Sequence, residues 1–178
     1  MVGLLWAAAV ILGGAGISKL FRPGPTIQAI RAADVPGEFF FASKFAVRLL
    51  GVTEIGIAVA VLCGGGSTPA ALLAASYLAL TLVAWRMIRI APGQDCGCFG
   101  SSSEPISRWH LIVNGAFFVV GAASVRWPQP SVLDEVSEQG AQGILLLILA
   151  VLLAWLCYLL MSALPGLMKL RAKVAAPR

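Results

Sequence analysis

Residues 143–164 read GILLLILAVLLAWLCYLLMSAL, a run without one Asp, Glu, Lys or Arg, closed by Pro165-Gly166 and a basic tail. A helical crossing of a bilayer takes about 20 mostly apolar residues, because the hydrocarbon layer is about 30 Å thick. This stretch therefore predicts a membrane-spanning helix. Working outward, four more stretches meet the same requirement: 2–20, 45–64, 69–90 and 109–127. The fourth is bracketed by Trp109 and Trp127, where an aromatic belt would sit. Together they use most of the chain, so the fold class is an all-α integral membrane protein, one membrane domain over residues 1–178. Composition agrees, with 59% hydrophobic and only 12% charged residues. A soluble monomer of this size leaves about a third of its chain surface in water and cannot hide so much apolar area. Disorder, a collagen-like repeat and a secreted disulfide scaffold are excluded by the high hydrophobicity, the aperiodic glycines and the four sparse cysteines.

The first span is not read as a cleaved leader, because no Lys or Arg precedes its apolar run, whereas Lys19 and Arg22 follow it. Lys and Arg near span ends mark the cytoplasmic side. In a five-span chain, Lys19, Arg22, Arg31, Lys44, Arg48, Arg86, Arg89, Arg108 and the basic residues of the tail share one side, and only Arg126 falls on the other. This asymmetry predicts an outside N-terminus and a cytoplasmic C-terminus. The net charge of +5 then reads as a topology signal and an attraction to anionic membrane lipid, with no nucleic-acid partner. The connections follow: a long cytoplasmic segment at 21–44 containing a short surface helix, a tight outer turn at Cys63–Thr68, a second cytoplasmic segment at 91–108, and an outer loop at 127–142 with a short amphipathic stretch.

The densest chemistry lies in that second segment, in Asp95-Cys96-Gly97-Cys98-Phe99-Gly100. Two thiols separated by one residue can meet only if the backbone bends sharply, and Gly97 relaxes the dihedral limits at that bend. A disulfide there would close a small, strained ring and be easily reduced, which suits exchange better than permanent cross-linking. Arg86, Arg89 and Arg108 favour a thiolate, while Asp95 opposes it. Two other uses of the pair stay open. Cys96 and Cys98 can serve as small residues at a turn, or as half of a metal site, although the chain's one His, His110, is a poor complement of further ligands.

Polar residues inside the spans form the second group. Glu54 costs a few kcal/mol at the centre of a span, less near an end, so it should face the bundle and a partner. Lys19 and Arg48, near the same membrane face, are the candidates. His110 and Asn114 are four apart and share one helix face. His110 follows Cys98 by twelve residues and offers a base for a thiol, or an interfacial side chain. Asn114 offers a bridge between helices. Cys63 and Cys157 are read as small buried residues. Gly64-Gly65-Gly66 lacks the Lys of a phosphate-binding loop, and no hydrolase triad or paired-carboxylate site is present.

Asp95-Cys96-Gly97-Cys98-Phe99-Gly100, with Pro105 and Asn114 after it, resembles the MauE family of methylamine-utilisation membrane proteins, grouped with DoxX-like proteins. Gly16-Ile17-Ser18-Lys19-Leu20-Phe21-Arg22-Pro23 and Glu54 look like that family's other recurrent positions. The resemblance covers about residues 3–125. It implies a four-helix bundle, with the fifth span added at the C-terminus, and a multi-pass protein of the bacterial cytoplasmic membrane. It further implies a thiol-disulfide redox role, in disulfide formation or electron transfer, beside a thioredoxin-like or other redox partner. Cys96 and Cys98 would be the exchanging pair; His110 is the candidate auxiliary base by its position twelve residues after Cys98. No cofactor is evident and no metal is expected; a quinone is compatible with such chemistry, but no residue pattern specifies one. The alternative is a non-catalytic scaffold or anchor subunit of a larger membrane complex. A carrier is a third class, for which a second buried ionisable group beside Glu54 is the expected sign.

Overall fold

In a computed structural model describing residues 1–34, 37–91, 97 and 106–163, every regular element is a helix. Lipid offers no hydrogen-bond partner to the backbone, so a span must satisfy its peptide groups internally. Five helices are long and apolar enough to cross: α1 (Val2–Phe21), α4 (Lys44–Val59, continued by a π-helical turn at Ala60–Gly64), α5 (Ser67–Ile90), α6 (Arg108–Arg126) and α8 (Ala141–Ser162). Shorter helices occupy the connections: α2 (Pro23–Ala32), α3 (Glu38–Phe41) and α7 (Val132–Gln139). Hydroxyls within spans bond back one turn, as in Ser76 to Leu72 O, Thr81 to Tyr77 O and Ser124 to Val120 O, so each finds its acceptor within its own helix.

The first span is the centre of the bundle, with 56% of its most apolar stretch buried against protein. The corresponding share of α8 is 17%. Ala7, Ala8 and Ala9 let neighbours approach α1 closely, and it packs chiefly on α4 and α8. The second long pair is α5 with α6, where Gly121 sits against Ala74 so closely that an added Cβ would lie 3.0 Å from the alanine side chain. The Tyr77 hydroxyl donates to Ala8 O at 2.7 Å and joins the two halves. Along α8, Ile144, Ile148, Leu152, Trp155 and Leu159 are exposed at helical spacing and form a lipid-facing stripe.

Each end of the bundle is closed differently. At the end reached by Lys19, Pro23 and Pro25 open α2, where a missing N–H costs nothing. Arg86 at the end of α5 donates to Ala33 O at 2.6 Å and Asp34 O at 2.7 Å, pinning the far end of α2. Phe39, Phe40, Phe41 and Phe45 are largely exposed there, beside Lys44 and Arg48. At the opposite end, Gly65 and Gly66 turn the chain with positive φ, and Gly66 N donates to Gln129 O at 3.0 Å. Ser131 caps α7 on the same side.

Candidate functional site

Gly16 and Gly51 mark the crossing of α1 and α4. A Cβ on Gly16 would stand 2.6 Å from Gly51 O, and a Cβ on Gly51 would stand 2.7 Å from Gly16 O. Only glycine allows backbones this close. One helical turn further along each chain come Lys19 and Glu54, both at a spacing of three from their glycine. The tight crossing holds their side chains face to face, with Lys19 Nζ donating to Glu54 Oε1 at 2.9 Å and to Oε2 at 2.7 Å. Exposure of Lys19 and Glu54 is 2% and 3%, so this is an ion pair sealed in the bundle. Such a pair persists because both charges find their partner; separating them would strand one in a medium of low dielectric.

Arg48, the other cation considered for Glu54, is exposed. Residues six apart on a helix point to different faces, so Arg48 cannot share the inward face of Glu54.

His110 is buried and belongs to the first turn of α6. Its Nδ1 accepts from Ser107 N at 3.3 Å and lies 3.1 Å from Ser107 Oγ, closing a reciprocal cap on the helix start. That bond assigns the ring proton to Nε2 when the ring is neutral. Asn114, one turn on, is buried on the same face. Lys19, His110 and Asn114 meet around a small internal cavity that Tyr77 also lines. The structure therefore joins Lys19, Glu54, His110 and Asn114 into one polar core within the membrane region and leaves Arg48 outside it.

Asp95, Cys96 and Cys98 lie outside the described residues. Gly97 between the two cysteines is described. It has φ +68°, and an added Cβ would sit 2.5 Å from Pro25 O, so both its conformation and its contact demand glycine. Its carbonyl accepts from Thr26 Oγ1 at 2.8 Å, a buried bond across 71 positions of sequence. The centre of the Cys-Gly-Cys segment is thus fastened to the first turn of α2, a few residues beyond Lys19. Cys63, expected to be buried, is instead exposed in the turn that closes the opposite end, and Cys157 is partly buried in α8; both are unpaired. Among the described residues no group of three or more His, Cys, Asp or Glu is placed to hold a metal ion.

Two features escaped sequence reasoning. The Gly16–Gly51 crossing was readable in principle from Gly-x-x-Lys and Gly-x-x-Glu, where a small residue one turn from a buried charge marks close approach. The bond from Thr26 to Gly97 had no local signal.

The family model described as methylamine utilisation protein MauE matches residues 1–127, which span α1 to the end of α6. No curated protein and no solved structure matches the chain.

Proposed function

The chain belongs to the MauE family, and from that premise we propose that it is a membrane thiol-disulfide redox protein in which Cys96 and Cys98 exchange with a thioredoxin-like or other redox partner. The family's description assigns the process as methylamine utilisation. The observation that carries this function is the anchoring of Gly97: the residue between the thiols is fastened to α2 by the Thr26 hydroxyl and by a contact that excludes any side chain. Gly97, which separates the two thiols in sequence, is thereby held at one place on the bundle.

The exchange balances without a further reagent. One thiolate of the pair attacks a partner disulfide; the partner S–S bond breaks, a mixed disulfide forms and one partner thiolate leaves. The second thiol, deprotonated, attacks the chain's own sulfur in that mixed disulfide, forming a Cys96–Cys98 bond and releasing the second partner thiolate. Two electrons pass to the partner, and the two protons lost by the pair end on its thiolates. The reverse sequence oxidises the partner. His110 takes a capping role in this scheme, since Ser107 occupies its Nδ1. The Lys19–Glu54 pair holds α1 against α4.

We place the chain in a bacterial cytoplasmic membrane with the Lys19 end in the cytoplasm, supported by the one-sided distribution of Lys and Arg. Phe39, Phe40 and Phe45 beside Lys44 and Arg48 suit an anionic lipid surface at that end. Labelling Cys96 and Cys98 with a membrane-impermeant reagent, on intact cells and inverted vesicles, should succeed only in the vesicles. Strong labelling from outside would overturn the orientation.

The function is tested by trapping. In Cys96→Ser and Cys98→Ser variants expressed in parallel, the variant that lacks the resolving thiol should accumulate a mixed disulfide with its partner, and a reductant should release it. Absence of any such species in both variants, with partners still co-purifying, would favour the scaffold reading instead.

A further inference from the structure

The cavity between α1, α5, α6 and the end of α8 measures about 20 Å³ and is lined by Lys19, Tyr77, His110 and Asn114 with apolar neighbours such as Leu12 and Met161. Asn114 is only 6% exposed, yet among the described residues its side-chain amide makes no hydrogen bond. Within a bilayer such a group is costly, because neither lipid nor bulk water can compensate it. Its neighbours are short of partners as well. Lys19 gives two of its three N–H bonds to Glu54 and keeps one, and His110 commits Nδ1 to Ser107 and keeps Nε2–H. Lys19, His110 and Asn114, each with hydrogen-bonding capacity left over, thus line one space, and an acceptor able to donate in return would serve all three.

Size and charge narrow the ligand. A cavity holds a water once its accessible volume passes about 10–15 Å³, and buried waters typically make about three hydrogen bonds. The space is too small for a quinone ring or any organic group, and the Lys19 ammonium repels a cation. We propose that this cavity binds one water molecule, which accepts from Lys19 Nζ and His110 Nε2 and donates to Asn114 Oδ1. The water ties the ion pair of α1 and α4 to the first turn of α6, which begins ten positions after Cys98. It is a structural link between the two halves of the bundle, independent of whether the thiols react.

His110 is the chain's one histidine, so [15N]histidine labels a single site. Solid-state NMR of the full chain in lipid bilayers should show rapid magnetisation transfer from water to His110 Nε2, with the ring in the Nε2–H tautomer. Absence of that transfer in the wild type would overturn the water site. Asn114→Leu, which keeps the branched shape and the number of side-chain heavy atoms, separates a wet cavity from a dry one. If the cavity is dry, replacing an unpartnered amide by an apolar group raises the melting temperature. If it holds water, the same change strands Lys19 and His110, so the transfer is lost and the melting temperature falls. The second result is expected; a rise in melting temperature with transfer retained would contradict the proposal. Should Asn114→Leu fail to accumulate, the wild-type measurement decides the question by itself.

Discussion

Two seams meet on α1, and they are built in opposite ways. Toward α4, Gly16 lies so close to Gly51 that no Cβ fits, and the Lys19–Glu54 pair closes the contact one turn on. Toward α8, the surface is apolar and loosely fitted, leaving a groove of about 330 Å³ along Val10, Gly14, Ser18, Ala154, Trp155 and Tyr158. Gly14 and Gly16, two positions apart, show the contrast in miniature, because nothing lies within 4 Å of a Cβ placed on Gly14. A charge pair needs fixed geometry and exclusion of competitors, so its seam is closed to backbone distance. An apolar seam in lipid has no such requirement, since acyl chains fill gaps at little cost. The family match, ending at residue 127, includes the first seam and stops short of α8. The polar seam belongs to the part of the chain that defines the family, and α8 is packed against its outside.

The strongest way to break this contrast is to remove one charge. Glu54→Gln leaves Lys19 buried without its partner, a loss of about 3–5 kcal/mol. Abundance in membranes and melting temperature should both drop sharply, and Lys19→Met added to Glu54→Gln should recover much of the loss. Lack of recovery would mean that Lys19 is not the residue Glu54 serves.

Gly16→Ala forces the α1–α4 backbones apart, an overpacking cost of about 1–3 kcal/mol. Gly14→Ala, in open space on the same helix, should instead be neutral or raise stability by up to about 1 kcal/mol through helix propensity. Unfolding both variants in the same detergent compares the seams directly, and equal effects would mean that the two seams do not differ in closeness of packing.

The smallest effect is expected far from either seam, at the cap of α7. There the Ser131 hydroxyl donates to Asp134 at 2.7 Å, and its backbone N–H does so at 3.2 Å, which holds the carboxyl below its usual range. A lowered folded value means that the stabilisation is complete above the unfolded value of about 4 and is lost as the pH falls through the folded one. Wild type and Asp134→Asn should therefore differ slightly at neutral pH and converge in acid, as read from melting temperatures across that range.

Much of the architecture was legible because lipid imposes a simple rule: a long apolar run must be a helix. The short helices at 23–32 and 132–139 were also expected, as a surface segment and an amphipathic stretch. Helix rotation was harder. Membrane depth alone allowed either Lys19 or Arg48 to meet Glu54, and only the face that each helix turns inward decides between them. In sequence His110 offers a base or an interfacial side chain, yet Ser107 three residues before it has the spacing of a reciprocal cap. The attachment of Gly97 to Thr26 depends on how α2 folds back under the bundle, a non-local contact that no window of residues contains.

The central claim, that Cys96 and Cys98 act as a reversible pair on a scaffold held by the Lys19–Glu54 seam, is tested most directly by their thiol state in the membrane. Alkylation followed by mass mapping, before and after mild oxidant and then a dithiol, reads that state residue by residue. A Cys96–Cys98 link should form with oxidant and disappear with the dithiol, while Cys63 and Cys157 alkylate throughout. Free alkylation of both Cys96 and Cys98 after oxidant would contradict the account and leave the segment as a structural turn.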